Sequence, residues 1–355
     1  MRDWNLQLKH DTSLVLRVCN ADFTSRGGFQ WPSEIGAVVS APDWKANYEC
    51  GNGLHGWLHG SGDYSASDYC GSPEAKWMVL EVPSSEIIDL GGKVKFPSAT
   101  VRFIGSKSDA AEFILKNDPA ATADTIIGLS LTAGDNRSVS VGDLGTATAG
   151  KHGTASAGEY GSASAGYRGS AFAGEDGTAS AGKHGTATAG RYGSASAGKH
   201  GTATAGKHGT ATAGKHGTAT AGEDGTATAG KHGSATAGRY GSASAGYRGS
   251  ASAGEYGTAS AGRYGTAIAG DYGTASAGNR GTASAGEYGS ATAGEDGTAT
   301  AGEYGSASAG DYGVLMIKYW DSCRDRYAVA YVGENGILPN VKYKLDDNHN
   351  FVVAE

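Results

Sequence analysis

The chain has 355 residues, a net charge of −7 and 60 glycines. The mild acidity argues against nucleic acid as the main partner, and no apolar run is long enough to span a membrane. Glycine falls at fixed intervals with no Gly-X-Y triplet, which excludes both collagen and a random Gly/Ser linker.

Residues 1–128 have ordinary globular composition and are expected to form a small α+β domain. Trp77–Val82 and Val94–Ile104 carry strand patterning, and Ser108–Lys116 is predicted as a short helix with Ser108 as N-cap. No basic cluster followed by an apolar run opens the chain, so a signal peptide is not expected. On that basis the four cysteines are read as reduced thiols and the location as cytoplasmic or virion-associated.

Cys50, His55, His59 and Cys70 are spaced C-x4-H-x3-H-x10-C. These are the residue types zinc selects, although the spacing matches no standard finger. A Cys/His pair in the same segment is also an alternative nucleophile and base. The plainer reading makes Gly51–Gly56 a loop in which His55 and Trp57 pack locally, with no cofactor and no enzyme activity.

From Gly145 the pattern is Gly-[Ser/Thr]-Ala-[Ser/Thr]-Ala-Gly-X-X, and 21 octads run to Gly305 without insertion or deletion. Fixed-period self-similarity predicts a stacked architecture. Ser/Thr and Ala alternate as in a strand, and Gly-X-X-Gly is the corner, where glycine is expected to supply backbone angles closed to other residues. The ends of the array show which face is inside. Val139 and Val141 occupy alanine slots at the start, and Leu315 and Ile317 occupy them at the end. The alanines, Ala211 among them, should therefore face the core, while Phe172 and Ile268 sit in outward Ser/Thr slots.

The corner pairs set the coil. Alternate octads from Lys151 to Tyr312 carry nine basic and three acidic corner residues, while the interleaved set from Glu159 to Tyr304 carries nine acidic and three basic. Such alternation implies two octads per coil, two sheets and two edges of opposite charge. The fold class expected is mainly β: a two-sheeted parallel solenoid over 129–320, a small α+β domain over 1–128 and a β-meander cap over 321–355. The meander strands are placed at Arg326–Val332, Val341–Leu345 and Phe351–Ala354.

Three surface features follow. His184, His200, His216 and His232 should stack along one edge, and Tyr256, Tyr272, Tyr288 and Tyr304 along the other. Either row is a candidate binding edge, for a divalent metal on the histidines or a sugar or protein on the tyrosines, or simply a solvated corner. Thr186, Thr188, Thr202, Thr204, Thr218 and Thr220 should form a two-column grid. Such Thr arrays are the binding faces of ice-binding β-solenoids.

Gly27-Gly-Phe-Gln-Trp31, Cys50-Gly-Asn-Gly-Leu-His-Gly-Trp57 and the Tyr-Lys-Leu tail resemble a family of uncharacterised bacterial and phage proteins. In that family a Cys/His-containing head precedes an Ala-Gly octad array; no activity comes with the resemblance. The repeat alone also resembles the β-roll heads of YadA-like adhesins, which implies trimers. The leading expectation is a non-enzymatic, phage-encoded rod acting as spacer or self-assembly module, with lateral or trimeric self-association and neither nucleic acid nor membrane as partner. Ice binding and a metal-binding or catalytic head are the alternatives.

Overall fold

The computed structural model describes residues 8–354, so Met1 to Gln7 and Glu355 lie outside the described residues. The chain divides into two compact units. One holds the residues up to Thr132 with Val139–Thr148 and Ser156–Ser162, and the other holds the rest, including everything from Ala163 onward.

The first unit contains strands β1 (Thr12–Cys19), β2 (Val38–Ser40), β3 (Leu54–Leu58), β4 (Lys76–Pro83), β5 (Ile88–Asp89), β6 (Val94–Phe96) and β7 (Ser98–Gly105), followed by helix α1 (Lys107–Asn117). They form one seven-stranded sheet in the order β2-β7-β4-β1-β3-β6-β5. Val15, Met78, Leu80, Val82, Phe96 and Val101 lie in the buried core on this sheet. The single strand expected over Val94–Ile104 is two, because Pro97 has no backbone N–H to give to a ladder. The helix starts one residue earlier than expected, and its cap is Ser106 rather than Ser108: the Ser106 side chain accepts from the Asp109 N–H. Both serines suit the role, but only Ser106 has the extended backbone of a cap.

The repeats form two parallel sheets, as the charge alternation implies. Thr186 pairs with Thr202 and Thr202 with Thr218, each 16 residues on. Odd and even octads fall on different sheets, of 13 and 14 strands. The repeat alanines point inward and are almost all buried: Ala211 is 0% exposed. Val141, Leu315 and Ile317 are buried in the equivalent slots at the ends, and Val139 is half-buried. Each alanine buries little apolar area, so the backbone carries much of the order. Corners are bonded within a coil, as in Gly201 N–H to Gly198 O, and between coils, as in His184 N–H to Lys199 O at 2.9 Å.

The glycines do not serve the purpose the sequence suggested. No glycine of the octad array has a positive φ; the second corner residue does, at φ 52–61° from His152 to Tyr312. Glycine is needed because neighbouring coils approach too closely for a side chain. A Cβ on Gly201 would sit 2.8 Å from the carbonyl oxygen of Gly185 and 2.8 Å from the Ala197 methyl.

The C-terminal strands are not one meander. Asp325–Tyr331 pairs antiparallel with Val314–Trp320 on one sheet, while Tyr343–Leu345 and Phe351–Val353 extend the other through Ala307. A two-sheeted stack ends in two unpaired edges, and each receives its own cover.

Candidate functional site

On one sheet, Thr186, Thr202 and Thr218 form one in-register column, and Thr188, Thr204 and Thr220 form the second. The columns are two residues apart along the strand, about 6.7 Å, and their members are about 4.8 Å apart across strands. The first column is exposed and the second half-buried. Each threonine presents a methyl beside a hydroxyl on a backbone fixed by ladder bonds on both sides. Ser234 and Thr236 continue the pattern. Phe172, 41% exposed, adjoins Thr188 on one side, and Ile268, 48% exposed, interrupts it further along.

The opposite face holds residues the sequence reading passed over. Thr210 and Thr212 pair in register with Thr226 and Thr228. Every outward strand position on this face from Thr178 to Ser308 is Ser or Thr. The missing signal was parity: the corner alternation assigns these octads to a second, uninterrupted face.

The two edges differ in chemistry. His184, His200, His216 and His232 stack with ring centroids 4.8–5.0 Å apart and planes 3–8° from parallel. Tyr167 and Tyr247 close the row edge-on at either end. Lost hydration within the stack is the first cause that holds His184, His200 and His232 below the ordinary histidine range; nearby lysines add to it, as do Arg168 at His184 and the His216 imidazole at His200 and His232. On the other edge Tyr256, Tyr272, Tyr288 and Tyr304 stack at 4.9–5.0 Å, and Tyr240 extends the row. Minority charges are paired along their own edge: Lys207 with Glu223 at 3.1 Å, Arg239 with Glu255 at 3.3 Å and Arg280 with Asp296 at 3.1 Å.

The four candidate zinc ligands occupy separate surroundings. His59 directs Nδ1 at Asp118 Oδ2, 2.8 Å away, and the buried Cys70 thiol donates to the Tyr64 carbonyl. Cys50 is exposed, and His55 Nε2 accepts from the Gly51 N–H at 3.4 Å. Among the described residues no three His, Cys, Asp or Glu side chains converge as metal ligands. Only His55 lies on strand β3; His59 follows the strand at φ 55°, and Cys50 and Cys70 lie outside it. All four cysteines are free thiols. Burial pushes the Cys70 thiol up to about 11, the opposite of what a nucleophile needs.

A two-sheeted octad solenoid with ordered Ser/Thr faces thus defines the class. Comparison with known proteins gives relatives for the chain. It is 34% identical over 129 residues to the ice nucleation protein InaU of Pantoea ananas, covering 36% of this chain and 12% of the relative. It is 36% identical over 112 residues to an ice nucleation protein of Pseudomonas fluorescens, covering 31% of this chain and 9% of the relative. One from Xanthomonas campestris pv. translucens is 35% identical over 108 residues, or 30% and 7% of the two chains. The chain therefore spans about a tenth of the length of the curated relatives it matches. Residues 13–116 match a family described as a domain of unknown function (DUF7666). No solved structure matches. The similarity overturns the cytoplasmic or virion-associated placement: the relatives are ice nucleation proteins of bacteria. The phage connection finds no support among them.

Proposed function

We propose that this protein binds ice through the Ser/Thr faces of its solenoid and is not an enzyme. The in-register Thr186–Thr220 grid carries the reading. Hydroxyls at a fixed two-dimensional spacing hold water where an ice surface needs it, and methyls between them favour ordered water over bulk water. The ladder bonds mean this order is prepaid by folding and costs no loop entropy on binding. The ice nucleation relatives support the same reading.

A nucleating template works better as its area grows, and this chain spans only about a tenth of those relatives. Self-association, lateral or trimeric, is therefore part of the proposal. The excess positive charge on the His/Lys edge and excess negative charge on the Tyr/Glu edge give copies a way to align.

Ice crystals grown in dilute protein test the reading. Faceted or slowed crystals are expected; round crystals growing at the buffer rate would reject it. Those round crystals would instead leave the rigid-spacer role, which the fully bonded ladder also suits.

A further inference from the structure

The first unit holds a cleft of about 880 Å³ that the solenoid faces do not explain. Six separated segments line it: Arg17 on β1, Ser25–Phe29 with Trp31, Pro42 and Asp43, Cys50–Trp57 around β3, Ser65–Tyr69, and Lys93. It lies wholly inside the span that matches the family of unknown function. A volume in this range suits a small organic ligand.

Arg17 is the informative residue. One of its guanidinium nitrogens donates to the His55 carbonyl at 3.1 Å, and its plane lies over Trp31, 5.0 Å from the ring centre. Its Nε is the one buried side-chain nitrogen or oxygen among the described residues with no hydrogen-bond partner. No carboxylate among the described residues pairs with it. A buried, unpaired charge is expensive, and a guanidinium presents its donors as a fork made for carboxylate or phosphate.

The surroundings add to the positive field. Lys93 and Arg26 share the lining. Lys95, fully buried nearby, is held by the Asn47 side chain and the Glu49 carbonyl, with no carboxylate pairing with it among the described residues. Burial and the charges of Lys93, Arg17 and Lys95 depress the His55 imidazole to about 4, so it stays neutral in the cleft. Two acids also line it, Asp43, which accepts from Asn52, and Asp68. Phe29, Trp31, Trp57 and Tyr69 supply flat apolar wall. Gly56 lets β3 come this close, because a Cβ there would lie 2.6 Å from the Leu16 carbonyl oxygen.

We infer that this cleft is a binding site for a small organic anion, a carboxylate or phosphate attached to a flat ring, with Arg17 and Lys93 taking the charge and the tryptophans the ring. The inference is independent of ice binding.

Tryptophan emission of the full chain, titrated with AMP and with benzoate, tests it, because Trp31 and Trp57 line the cleft. Adenosine and benzamide are the neutral counterparts. A saturable change is expected with at least one of the two anions and with neither neutral probe. Arg17→Gln should weaken it by at least about tenfold, the worth of a charge-assisted pair. Lys93→Gln, on a surface turn, serves if the Arg17 variant unfolds, and should weaken it too. No saturable response to either anion up to about 10 mM would overturn the proposal. So would equal responses to charged and neutral probes, or unchanged affinity in folded variants. Altered ice crystals with no anion response, or the reverse, separate this site from the solenoid faces.

Discussion

A Cβ placed on Gly198 would lie 2.8 Å from the backbone nitrogen of Lys183 in the adjacent coil. Coil spacing is thus set by backbone against backbone, and the repeat glycines are there because nothing larger fits. Gly198→Ala should cost about 1–3 kcal/mol through overpacking, although alanine is the commoner strand residue. Urea denaturation checks this; an unchanged or higher midpoint would contradict the close-approach account.

The inside of the stack is equally confined. Ala211 is fully buried while Thr212, next along the strand, faces out. Ala211→Leu should destabilise the solenoid by a few kcal/mol, and Thr212→Leu by less than about 1 kcal/mol. Comparing the two melting temperatures tests the inside-outside assignment, and equal losses would remove it.

The corners carry the backbone strain. His200 sits at φ 60°, a region that costs an ordinary L-residue about 1–2 kcal/mol and costs Asn or Gly less. His200→Val should therefore destabilise more than His200→Asn. Matched denaturation curves of the two variants decide it.

Acid should loosen the histidine edge. His184, His200 and His232 have folded pKa values below the ordinary one, so the unfolded chain binds protons more readily. The edge carries no such penalty above the unfolded value of about 6.5, and stability falls as pH drops below it. Lys183, Lys199 and Arg168 face the row and strengthen the effect. The melting temperature should decline between pH 7.5 and 5, and less steeply when all four stacked histidines become asparagine. Identical slopes would show that the acid response lies elsewhere.

Association between copies should be salt-sensitive, since exposed charges are screened within about 10 Å at 0.1 M. Sedimentation across a salt series is expected to show larger species at low salt; a monomer throughout would end the edge-pairing proposal.

How much the sequence revealed tracks how the information is written. In the array, one octad states the strand, the corner and the core slot, and the two-octad charge rhythm states the coil, so the stacking of His184 on His200 is legible in the sequence alone. The glycine role is not, because close approach and backbone freedom both select the same residue. In the first unit the cleft was invisible: Arg17, Trp31, His55 and Lys93 come from separate segments, and no local spacing signals their convergence. The Cys50–Cys70 spacing is local, but spacing alone does not say whether side chains converge, and among the described residues no three metal-ligating side chains do.

The central claim is that ordered threonine columns organise ice. Its most direct test compares freezing temperatures of droplets containing the wild-type chain with those of a T202K, T204K, T210K, T212K variant, which places lysines on both faces. Circular dichroism confirms that the variant retains its fold. Wild-type droplets should freeze warmer than buffer and variant droplets measurably closer to buffer; coincident freezing curves for the two proteins would contradict the account.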